Sequence, residues 1–115
     1  MNTEFPGPGL DRELALSRVG EDAELLKEIA ALFMEDYPSV LAEIQAAAAR
    51  GDAQGVERAA HGLKGSVANF GAQAAVDAAF QIERMGRAGD LNHVSEAIDT
   101  LARALDALRP ELEAL

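Results

Sequence analysis

The chain holds 115 residues, 49% of them apolar, with no Cys, no Trp and 20 acidic against 10 basic side chains, for a formal net charge of -10. That length suffices for one domain with its own core, and the missing Cys excludes disulfide frameworks, thiolate zinc sites and thiol nucleophiles. The acidic balance argues against nucleic acid or an anionic membrane surface as a partner, and an apolar content made mostly of Ala and Leu favours helices over strands.

The first residues carry no basic region followed by an apolar stretch, so a cytoplasmic location is expected. The longest uncharged run, 65–76, is far below the roughly 18 residues of a membrane span, and none is expected. Residues 1–9, with Pro6, Gly7, Pro8 and Gly9, read as a flexible lead-in or a cloning scar, and the domain is expected over 10–115. A short amphipathic helix is predicted near 11–18, ending before Gly20. Leu26, Ile29, Phe33, Tyr37, Val40, Ile44 and Ala48 then step by three or four, which predicts one long helix bent at Pro38 rather than two.

Gly51 followed by Asp52 reads as a helix stop and then an N-cap, and Gly89 followed by Asp90 reads as the same device repeated. Asn69, Phe70 and Gly71 break the stretch between, giving predicted helices over 52–69 and 72–88. Leu91, Val94, Ile98, Leu101, Leu105, Leu108 and Leu112 form the seam of the last helix, with His93 just inside it, off the seam, as a surface side chain. The predicted fold is all-α: an antiparallel four-helix bundle with a short additional N-terminal helix.

At about 100° per residue, Val56, Ala59, Leu63, Ser66 and Phe70 cluster within roughly 40° of the direction opposite His61, so the imidazole is expected to face away from the core. Around it lie Glu57, Arg58, Lys64, Gly65 and Ala68. Gly65 costs roughly 0.5–1 kcal/mol against Ala inside a helix, so its place one turn after an outward His suggests clearance for another molecule. Taken alone, an outward His or Lys is an ordinary solvated side chain. Glu57 and His61 stand four apart like half a metal site, but the pair faces outward and occurs once, so no metal is expected. No glycine-rich phosphate loop or Ser-His-Asp set appears, so the chain is expected to have no ATP site and no kinase activity of its own.

The stretch Ala60-His61-Gly62-Leu63-Lys64-Gly65-Ser66-Val67-Ala68-Asn69-Phe70-Gly71 resembles the signature of the histidine-containing phosphotransfer (HPt) domain family, with its His-x-x-Lys-Gly core. Residues 20–33 are similar to the family's helix opening, and Ile82-Glu83-Arg84-Met85-Gly86-Arg87 resembles its usual end of the next helix. Gly62 departs from the pattern, standing where Thr or another side chain is common. The resemblance covers residue 10 to the C-terminus.

It implies a phosphorelay intermediate of two-component signalling. His61 would accept a phosphoryl group through Nε2 from a receiver-domain aspartyl phosphate and pass it to another receiver Asp. Lys64 would stabilise the phosphate charge, Glu83 would orient the ring from the neighbouring helix, and Arg58, Gly65 and Ala68 would meet the partner. The implied partners are response-regulator receiver domains, which would supply Mg²⁺, and a hybrid sensor histidine kinase; no intrinsic cofactor and a monomer are expected. Two alternatives stand beside this reading: a non-phosphorylated helical docking module, and the excised phosphoacceptor module of a chemotaxis-type kinase.

Overall fold

Among the described residues, three of the five helices open on an aspartate. The computed structural model describes residues 9–115, so the expected lead-in lies, apart from Gly9, outside the described residues. Helix α1 spans Arg12–Arg18, α2 Ala23–Ala49, α3 Ala53–Ala68, α4 Gln73–Ala88 and α5 Val94–Glu113. Asp11, Asp22 and Asp52 accept from the backbone N–H groups of Leu14, Leu25 and Gly55, each satisfying a donor that the first helical turn leaves free. Gly51 and Gly89 take the left-handed conformation that closes α2 and α4, at φ 73° and 72°.

Of the two aspartate caps expected from the sequence, Asp52 stands and Asp90 is corrected. Asp90 closes a local turn instead, its Oδ1 accepting from Asn92 N–H at 3.2 Å, and α5 begins only at Val94. Leu91 therefore precedes the helix whose seam it was expected to start, and His93 is the residue flanking the helix rather than one inside it. Its side chain is exposed.

Each long helix packs against two others: α2 on α3, α3 on α4, α4 on α5, and α5 back on α2, while α1 meets α2. The ring encloses one apolar core, from Leu26, Phe33, Tyr37 and Ile44 through Val56, Leu63 and Val67 to Ile82, Leu101, Leu105 and Leu108. The Phe33 ring lies 5.3 Å from both Tyr37 and Phe70, and the N–H of Asp11 donates to Phe70 O, tying the start of α1 to the end of α3. Among the described residues no helix is long and apolar enough to cross a membrane.

Helix α2 is continuous through Pro38. Proline lacks the N–H that would bond Met34 O one turn earlier, and the freed carbonyl needs another donor. Arg109 of α5 supplies one, with Nη1 3.5 Å from Met34 O and 3.3 Å from the Tyr37 hydroxyl. The break in the α2 ladder is thus answered by a side chain from the helix packed beside it.

Candidate functional site

Helix α3 buries Val56, Ala60, Leu63, Val67 and Phe70 at its C-terminal end, a strict four-three-four-three repeat. The expected inward pair Ala59 and Ser66 is corrected, since Ala59 is only partly buried and Ser66 is exposed. At about 100° per residue this turns His61 to roughly 140° from the buried direction rather than opposite it, toward α4. The ring therefore stays open to solvent, with 68% of the side chain exposed, yet stands at the α3–α4 junction.

What it meets there is Glu83, which is only 2% exposed. His61 Nδ1 lies 3.0 Å from Glu83 Oε2. A carboxylate can only accept, so Nδ1 carries the proton in this contact, and whenever the ring is neutral the lone pair is left on Nε2. Lys64 Nζ lies 2.7 Å from Oε1, away from the direction of a well-formed hydrogen bond, and the contact is an ion pair. The same ammonium sits 4.9 Å from the centre of the Phe80 ring, which also has the Arg84 guanidinium at 5.7 Å. Arg87 Nη2 donates to Glu83 Oε2 at 2.8 Å and its Nε to Glu57 Oε2 at 3.0 Å.

A buried carboxylate survives only when paired. Here the Lys64 ammonium, with the His61 ring bond, outweighs burial and holds the Glu83 carboxyl below its ordinary range. Glu57, and less strongly Glu83, hold the Arg87 guanidinium still further from deprotonation.

Glycine sets the distances. A Cβ on Gly86 would stand 2.6 Å from the Glu57 nitrogen and 2.8 Å from the Ala53 carbonyl oxygen, so α4 lies against the bare backbone of α3 at this point. Glu83 is one turn before that contact and is carried to His61 by it. Gly62 and Gly65 are the opposite case: a Cβ on either meets nothing within 4 Å. Packing among the described residues does not require the glycine at position 65.

Of the residues the sequence singles out, His61, Lys64 and Glu83 meet in one cluster. Arg58 and Gly65 lie exposed on the far side of the ring, Arg58 lining with Gly62, Leu32 and Tyr37 an open groove of about 510 Å³ between α2 and α3. Ala68 is half-buried. Arg87, Phe80 and Gly86 were missed. The four-residue step from Glu83 to Arg87 was a readable sign of a paired carboxylate, and a glycine costs as much at 86 as at 65.

A helical bundle that presents one oriented imidazole to solvent has the form of a histidine phosphotransfer protein. The chain belongs to the Hpt domain family, whose profile matches residues 28–111. It is also similar to the crystal structure of histidine-containing phosphotransfer protein B (HptB) from Pseudomonas aeruginosa PAO1, at 25% identity and a TM-score of 0.86 over 94% of each chain. No curated protein matches it. Helix α1 precedes the family match. Membership carries a role in phosphotransfer within two-component signalling.

Proposed function

We propose that the chain is a phosphorelay intermediate in which His61 is the phosphoacceptor. The observation that carries this reading is the Nδ1 contact to Glu83 at 3.0 Å on a ring that is still 68% exposed. The ring is oriented through one nitrogen and open at the other. Nε2 attacks the phosphorus of a receiver aspartyl phosphate, the P–N bond forms as the P–O bond to the carboxylate breaks, and the receiver Asp departs as its carboxylate. The ring gains positive charge as this happens, and Glu83, bonded to Nδ1–H, stabilises it. Transfer to a second receiver Asp runs the same step in reverse.

Lys64 is held by an ion pair and a ring face, with 25% of its side chain exposed, and can follow the phosphoryl oxygens. Phosphoryl transfer depends mainly on positioning and charge stabilisation, so a carrier can leave Mg²⁺ and the acidic pocket to the receiver and needs no ATP site of its own. The scaffold in this reading is a cytoplasmic, monomeric antiparallel four-helix bundle over 10–115 with α1 across one end. Its partners, receiver domains and a hybrid sensor kinase, seat around Arg58, Gly65 and Ala68.

Incubation with a phosphorylated receiver should label the chain with acid-labile, base-stable phosphate, and His61→Gln should abolish the label. A wild type left unlabelled by a panel of receivers would instead favour a docking module. Label obtained only from ATP and a separate kinase catalytic domain would favour a chemotaxis-type phosphoacceptor.

A further inference from the structure

His61 and Arg87 share one oxygen. Nδ1 and Nη2 lie 3.0 and 2.8 Å from the same Glu83 Oε2, and Arg87 Nε reaches back to Glu57 Oε2 at 3.0 Å. Arg87 is one turn beyond Glu83 on α4, and Glu57 is one turn before His61 on α3. The four side chains therefore close a circuit across the two helices, His61 to Glu83 to Arg87 to Glu57, beside the point where Gly86 rests on the Glu57 backbone.

A guanidinium is planar and its donors keep a fixed geometry, so anchoring Nε on Glu57 decides where Nη2 points. Oε2 of a carboxylate has two lone pairs. With Nη2 on one, the other is left for the histidine. Without Arg87, the strongest remaining pull on the carboxylate is Lys64, 2.7 Å from Oε1, which favours turning the group away from the ring. An unanchored imidazole exposed to water can carry its proton on either nitrogen, and with the proton on Nε2 it cannot attack there.

We propose that Arg87 is a positioning residue for the phosphoacceptor: clamped on Glu57, it fixes Glu83 so that His61 keeps its proton on Nδ1 and Nε2 stays free. Arg87 takes no part in the bonds made or broken. The proposal rests on the reading of His61 as the phosphoacceptor, but its primary measurement does not.

The test uses the full chain with ¹⁵N-labelled histidine, in which the ring nitrogen shifts report the tautomer and the exposed His93 is an internal reference. Wild type should show His61 mainly as the Nδ1–H form at a pH where the ring is neutral. Arg87→Gln should raise the Nε2–H fraction and slow phosphoryl acceptance about tenfold, the lower end of the usual effect of losing such a supporting partner. Glu57→Gln, which leaves the guanidinium in place but loosens its anchor, should move both readouts in the same direction by less. It also serves if Arg87→Gln fails to fold, as judged by circular dichroism. Unchanged His61 tautomers in the folded variants would overturn the proposal, whether or not transfer slows. A wild type labelled neither by a receiver nor by a kinase catalytic domain would sink the phosphoacceptor reading and leave the tautomer result standing.

Discussion

Helices α4 and α5 are neighbours of similar build with opposite buried faces. That of α5 is Val94, Ile98, Leu101, Leu105, Leu108 and Leu112; that of α4 is Ala75, Ala78, Ala79, Ile82, Glu83 and Gly86. Large side chains on α5 remove apolar area from water and carry the stability of the bundle. Small ones on α4 contribute less area but let its backbone close on α3, which is what carries a buried carboxylate to an exposed histidine. One side of the bundle is built for cohesion and the other for distance.

The largest effects should separate these two jobs. Leu101→Ala removes a fully buried side chain and should cost about 2–5 kcal/mol in urea unfolding, while the folded fraction still accepts phosphate at the wild-type rate. Gly86→Ala adds one methyl group against the Glu57 nitrogen and the Ala53 oxygen and should cost about 1–3 kcal/mol. Unlike the leucine variant it should also slow transfer, because α4 must back away and lengthen the 3.0 Å contact between His61 and Glu83. Equal transfer rates for the two variants would remove the distinction between the helices.

Acid should expose the α4 face next. The Glu83 carboxyl titrates below its ordinary 4.5 in the fold, chiefly because of Lys64, so the folded state favours the charged form. Its contribution to stability is therefore complete above about 4.5 and is lost as the pH falls through the lower folded-state value. Glu83→Gln should remove that part of the acid-side slope in denaturant titrations. Asp52, lowered by the Gly55 N–H, titrates in the same direction from 3.8 and should keep its own part. An unchanged slope in the glutamine variant would mean that Lys64 and His61 do not favour the charged carboxylate.

The helices were legible because their signals are local: apolar steps of three and four, and a glycine stop followed by an aspartate cap at Gly51 and Asp52. Asp90 failed as a cap because the same side-chain chemistry can close a turn two residues on, and only the path of the chain decides between them. His61 was legible through the residues that follow it. The burial of Glu83 was not, because a helical glutamate is ordinarily exposed, and it is kept inside by Lys64 of another helix and by Arg87. The direction of α3 was misjudged by roughly 40° for a related reason. Both sets of positions fit a helix, and contact with α4 selects Ala60 and Val67 over Ala59 and Ser66.

Gly65 gives the smallest effect and the sharpest contrast with Gly86, since both are helical glycines and, among the described residues, only Gly86 has a neighbour where its Cβ would stand. Gly65→Ala should stabilise the bundle by about 0.5–1 kcal/mol, the ordinary gain of alanine over glycine inside a helix, because the new methyl group meets nothing within 4 Å. Transfer should barely change. Gly65→Leu should fold as well as wild type yet accept phosphate more slowly, since the added bulk lies one turn from His61 on the open face where the proposed function seats a receiver. A leucine variant that transfers at the wild-type rate would show that the receiver approaches elsewhere. Loss of helicity on that substitution would mean that position 65 serves packing after all, leaving the two glycines alike.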